Sequence, residues 1–143
     1  MPARRRWIPE HKLMIVSHYG RVTADDLEAT DVEALTECLQ AGEGVKYLAD
    51  FRHCQLEMTK EDVVEHARRM NEHDFWSRIP GLKVAMLAER ALNTAFGLLF
   101  RTKAVDSGLQ VFSTVDSAWV HLGLPADLLD EVSDILPGVE RGA

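Results

Sequence analysis

The run Leu82 to Ala88 reads LKVAMLA and is apolar except for Lys83. Such a run fits a strand covered by helices on both faces, because neither side then meets solvent. It commits the chain to a layered α/β fold, with this run as the expected centre of the sheet. Partners for it are legible on either side. Arg4 to Ile8 and Lys12 to Tyr19 are both β-compatible. Pro9-Glu10-His11 interrupts pairing between them, which predicts an N-terminal hairpin whose second strand ends at Gly20. Val45 to Phe51 is rich in strand formers and predicts an inner strand; Leu109 to Phe112 predicts a short last one.

Helical stripes with their own start and stop signals lie between these strands. Thr23 precedes Ala24-Asp25-Asp26, a cap followed by carboxylates at the positive end of a helix. Leu27, Asp31, Ala34, Leu35 and Cys38 follow at helical spacing until Gly42 and Gly44, so a helix is expected over Ala24 to Gln40. Thr59 repeats the cap signal, with Glu61 and Asp62 in the first turn; Val63, Ala67, Met70 and then Phe75 are the apolar positions before Ile79-Pro80-Gly81. Leu92, Ala95, Phe96, Leu99 and Lys103 mark a third helix closed by Ser107-Gly108, and Ser113 or Thr114 caps a fourth that buries Ala118, Trp119 and Leu122. Ala126 to Leu136 places Leu128, Leu129, Val132, Ile135 and Leu136 on one face, predicting an amphipathic C-terminal helix. That helix either covers its own domain or docks on a second copy to make a homodimer.

Strands alternating with helices predict a mostly parallel sheet of four to five strands joined by right-handed crossovers. A length of 143 residues with 46% hydrophobic content suits one domain over residues 1–143. A net charge of −7 disfavours nucleic acid and anionic membrane surfaces as partners, since phosphate contacts need a basic face. The one basic run, Arg4 to Arg6, is expected to be a solvated chain end. No stretch approaches the ~20 apolar residues of a membrane span, so no membrane insertion is expected. The absence of a signal segment and of any CxxC or disulfide framework at Cys38 and Cys54 points to a cytoplasmic protein.

No Gly-x-Ser-x-Gly elbow, HExxH, paired zinc CxxC or phosphate-binding glycine loop is present, so no catalytic residue, cofactor or metal is assigned. His66 and His73 share one face of the second helix, but two turns of helix separate them by roughly 10 Å, too far to chelate one ion alone. They are expected as polar decoration of a solvent face. Cys54 beside His53 suggests a nucleophile, yet neighbours on an extended chain point apart.

Ligands of parallel sheets meet the loops beyond the carboxyl ends of the strands. That edge is expected to gather Asp50, Arg52, His53 and Cys54 with Glu89, Arg90 and Asn93. Asp50 beside Arg52 could hold a polar ligand or a partner's charge, and His53 titrates near neutrality in an ordinary setting. The plainer alternative is a solvated loop in which Asp50 satisfies nearby backbone N–H groups.

Four stretches together carry a resemblance: GRVTADDL (Gly20 to Leu27), VKYLADFR (Val45 to Arg52), LKVAMLAE (Leu82 to Glu89) and VFSTVDSAWV (Val111 to Val120). Over Trp7 to Leu122 this pattern resembles the SpoIIAA-like, STAS/Sec14-type family of small bacterial proteins. The resemblance implies an α/β sandwich and a non-catalytic regulatory or interaction module, recognising a protein partner or a small apolar or anionic ligand beside the second-strand loop. Lipid-carrying relatives imply an alternative, a carrier of a small apolar ligand or lipid with its pocket between sheet and helices. Partner-switching members resemble one another in an Asp-Ser-Ser-Gly-like turn whose serine is phosphorylated. Here the stretch reads Asp50-Phe51-Arg52-His53-Cys54-Gln55, with neither serine nor glycine, so a switch of that kind is not expected.

Overall fold

The computed structural model describes residues 3–137. Along the chain these form β1 (Ala3–Ile8), a 3-10 turn (Pro9–His11), β2 (Leu13–Thr23), α1 (Ala24–Leu39), β3 (Lys46–Glu57), α2 (Lys60–His73), α3 (Phe75–Arg78) and β4 (Lys83–Leu87). Next come α4 (Ala91–Lys103), a second 3-10 turn (Val105–Ser107), β5 (Gln110–Phe112), α5 (Val115–His121) and α6 (Leu128–Glu131). The strands lie side by side in sequence order, β1 antiparallel to β2 and all later pairs parallel. The N-terminal hairpin and the mostly parallel sheet are thus as the sequence predicts. The centre is not: β3 occupies it, and β4 stands one strand from the edge. A continuous apolar run reports cover on both faces, which β4 has, and carries no information about rank within the sheet.

Sequential strand order has a geometric consequence. Right-handed crossovers between successive parallel neighbours put every connecting helix on the same face. Residues of α1, α2 and α4 accordingly share one core with Met14, Val16, Tyr47, Ala49, Phe51, Val84 and Met86 of the sheet. The opposite face, built on Leu13, Ile15, Leu48, Ala85 and Leu87, is covered by the part of the chain beyond β5. Both crossover helices α1 and α2 begin on complete capping boxes, in which Thr23 and Thr59 accept from the N–H groups of Asp26 and Asp62 and receive a carboxylate in return. Thr114, rather than Ser113, caps α5. The predicted second helix stops earlier than its stripe suggested, because Asp74 adopts a left-handed conformation at φ 56 and starts the separate turn α3.

Three further expectations are corrected. Arg4 to Arg6 belong to β1 instead of a loose end: Arg5 pairs with Glu37, and Arg6 forms a forked ion pair with Asp134. Strand β2 passes through Gly20, at φ 65, and continues to Thr23. Glycine tolerates that left-handed angle, so here it bends a strand without ending it. The C-terminal segment is helical only over α6, with turns from there to Pro137. Its five apolar side chains are nonetheless all buried against the protein's own sheet. At about 1.5–3 kcal/mol for each such side chain, their burial is comparable with the ~5–15 kcal/mol stability of a whole domain. Of the two alternatives for this apolar face, the protein's own sheet is what covers it.

Candidate functional site

Of the residues gathered from sequence, Asp50, Arg52, His53 and Cys54 do not form a solvated loop, because strand β3 continues through them to Glu57. Glu89 and Arg90 are exposed between β4 and α4, and Asn93 belongs to α4; Asp50, Arg52, Cys54 and Asn93 are buried. The cause is a β-bulge. Asp50 pairs with Ser17 and His53 with Tyr19, so Phe51 and Arg52 together oppose the single residue His18. The extra residue shifts the side-chain alternation, and Cys54 and Leu56 turn into the same core as Phe51 while His53, Gln55 and Glu57 face out.

Each buried polar residue of the expected set has an internal partner. Arg52 makes a bidentate pair with Asp50, Nε to Oδ1 and Nη2 to Oδ2 both at 2.9 Å, and its own N–H donates to Oδ1 at 3.0 Å. Arg52 Nη2 also donates to the carbonyl of Pro137 at 2.9 Å, and Ser17 Oγ donates to the carbonyl of Ile135. Together they strap the C-terminal segment to the sheet. The carboxylate raises the guanidinium's pKa chiefly through its hydrogen bonds. Asn93, in the first turn of α4, donates its amide to the carbonyls of Phe51 and Cys54, each at 3.1 Å, and so closes the acceptors that the bulge leaves open. Cys54 Sγ donates to the carbonyl of Phe51 at 3.5 Å, and burial pushes its thiol up to about 12, so it is protonated at neutral pH. Only His53, Glu89 and Arg90 of the expected set are exposed, with His53 stacked at 6.4 Å on Tyr19. The structure thus joins Asp50 to Arg52, and Asn93 to Cys54, as parts of the scaffold.

A different place offers room for a ligand. Between the sheet and helices α1, α2 and α4 lies a cavity of about 80 Å³. Its walls are mainly apolar, from Leu27 and Leu35 on α1, Ala49 and Phe51 on β3, Val63 and Met70 on α2, and Phe96 and Phe100 on α4. Gly97 lets α4 come close to the sheet: a Cβ there would lie 2.5 Å from Met86 Sδ, another wall residue. Into this apolar lining project Asp31 of α1, Tyr47 of β3 and His66 of α2. Tyr47 donates its hydroxyl to Asp31 Oδ1 at 2.8 Å, and His66 Nε2 lies 3.3 Å from Asp31 Oδ2. Burial, reinforced by the Asp31 charge, raises the Tyr47 pKa well above the ordinary phenol value, which keeps it a donor. The His66 ring packs against Phe100 with centroids 5.3 Å apart, and its Nδ1 is buried with no hydrogen-bond partner among the described residues.

His66 is therefore not solvent decoration, as its polarity suggested, but 5% exposed and part of the cavity wall. The signal for it was present: Val63, His66, Ala67 and Met70 make the i, i+3, i+4, i+7 face of α2. Asp31 likewise stood in the stripe of α1 among Leu27, Ala34, Leu35 and Cys38. Two ionisable residues on the inner faces of adjacent crossover helices meet at one point because both helices cover the same side of the sheet. No family model matches the chain, and no curated protein matches it.

Proposed function

We propose that the chain is a SpoIIAA-like domain that binds a small apolar ligand in the cavity between its sheet and its crossover helices. The observation that carries the reading is the composition of the walls, which are mainly apolar and are interrupted at one place by the Asp31, Tyr47 and His66 group. Apolar pockets with a few convergent polar groups are the usual form of small-molecule sites. The volume narrows the ligand. At about 80 Å³ the cavity is smaller than the ~150 Å³ apolar cavity that takes up benzene in an engineered protein. A single ring or a short chain enters by displacing the flexible thioethers of Met58, Met70 and Met86, while a two-chain lipid does not fit. The interaction-module reading, centred on the second-strand loop, retains only His53, Glu89 and Arg90 as exposed contacts.

Toluene serves as the probe. At tenfold above its Kd, a ligand that binds only the folded state raises the unfolding temperature of a domain this size by about 4 °C. Two variants close the space: Ala49→Phe fills it directly, and Gly97→Ala drives Met86 into it. The expected result is a toluene-dependent rise in wild-type protein and none in either variant, with circular dichroism confirming that both are folded. No rise in the wild type, or an equal rise in all three, overturns the reading.

A further inference from the structure

We infer that the ligand of this cavity is a small organic cation, a protonated amine on an apolar body, whose ammonium group pairs with Asp31. The inference rests on the ligand-binding reading of the same cavity. Its basis is the charge of the walls. Asp31 is the one carboxylate among the wall residues, and no arginine or lysine stands with it. Among the described residues its one neighbour at ion-pair distance is His66, whose Nε2 lies 3.3 Å from Oδ2. Tyr47 donates to Oδ1 at 2.8 Å. A carboxylate has about four lone-pair sites, so these two neighbours leave acceptor capacity for the N–H groups of a ligand.

The rest of the lining suits the same class. Tyr47, Phe51, Trp76, Phe96 and Phe100 all contribute to the walls, and aromatic faces attract an organic cation while they enclose its apolar part. Full burial of the charge is not required. The Asp31 side chain is 15% exposed, so a head group at its oxygens keeps part of its hydration as the apolar body is enclosed. A ligand carboxylate would meet like charge there, and a neutral head gains no ion pair.

The neighbouring surface has the same sign. A polar cleft of about 110 Å³ between the N-terminal halves of α1 and α2 is lined by Asp25, Glu28, Asp62 and Glu65, with His66 and the single guanidinium of Arg69. His66 lines both spaces, so the cleft adjoins the Asp31 end of the cavity. An acidic cleft raises the local concentration of a cation and lowers that of an anion.

The test uses four ring probes that differ in one substituent: toluene, benzyl alcohol, benzylamine and benzoate. Their Kd values are measured by titration calorimetry at pH 7, where a primary amine is protonated, on wild-type protein, Asp31→Asn and Asp31→Glu. In the wild type, benzylamine is expected to bind at one site about tenfold more tightly than toluene, the scale of one hydrogen bond between charged partners, and benzoate most weakly. In Asp31→Asn, which keeps an acceptor for Tyr47, toluene is expected to hold within about twofold while benzylamine weakens by about tenfold. Asp31→Glu, which restores the charge, is expected to recover part of the benzylamine affinity. The order of the four probes on the wild type is decisive without any variant: toluene, benzyl alcohol or benzoate binding as tightly as benzylamine overturns this inference alone. A benzylamine affinity unchanged in folded Asp31→Asn overturns it as well. Failure of all four probes on the wild type overturns the ligand-binding reading and this inference with it.

Discussion

His18 carries the least satisfied chemistry in the protein. It is 1% exposed, stacked on Phe51 with centroids 4.3 Å apart, and neither ring nitrogen has a partner among the described residues. Burial lowers its pKa below the ordinary 6.5, against the opposing pull of Asp31 and Asp50. The linkage runs in one direction. Below about pH 6.5 the unfolded chain takes up a proton that the folded ring resists, so this residue's contribution is complete above that pH and is lost as pH falls toward the folded value. Urea unfolding at pH 8 and pH 5.5 is expected to show a smaller acid-induced loss of stability in His18→Phe than in the wild type. An equal loss in both would place the acid sensitivity elsewhere. The same scale shows where sequence reading stops short. Helical spacing placed Asp31 among buried neighbours, and it also puts His66 on the inner face of α2. Spacing along a chain does not record that these two faces meet, since that depends on the hand and order of the crossovers.

At the scale of elements, the order of strands and helices follows from their patterns, and the departure that bears on the expected site is the second half of β3. Taken alone, Cys54-Gln55-Leu56-Glu57 alternates apolar and polar as a half-buried strand does. The alternation is out of phase with Tyr47, Ala49 and Phe51, and the bulge at Phe51-Arg52 supplies the missing residue. A cluster of Asp, Arg and His at the break reads as a polar loop only if each charge is assumed to face water. Asp50 and Arg52 instead neutralise one another beneath the C-terminal segment. Asn93 holds the bulge from the adjoining helix, and its loss leaves two carbonyls buried without that donor. Asn93→Leu is expected to cost about 1–3 kcal/mol in urea unfolding. A change below about 0.5 kcal/mol, the scatter of ordinary surface substitutions, would mean that the bulge is stable without the clamp.

For the whole molecule, sequential strand order is the fact from which the site arises. It gathers three crossover helices on one face and leaves the other to α5, α6 and the turns beyond them. The two faces are consequently different in kind. One is packed by the C-terminal segment and tied down by Ser17, Arg52 and Arg6; the other encloses the cavity. The element order was legible in the sequence because α1, α2 and α5 start on threonine caps, α4 shows an apolar stripe, and the inner strands are apolar runs. The cavity was not, because a void is set by how closely three helices approach one sheet, and no local pattern records that distance.

Methionine methyl NMR during a toluene titration tests this division directly. Of the five methionines in the chain, Met58, Met70 and Met86 line the cavity, and Met14 lies in the same core away from its walls. Signals of Met58, Met70 and Met86 are expected to shift together and saturably, with Met14 and the methyl groups of Leu128, Val132 and Ile135 on the opposite face unmoved. Shifts centred on that opposite face, or no saturable shift at the three cavity methionines, would contradict the assignment of the cavity as the functional site.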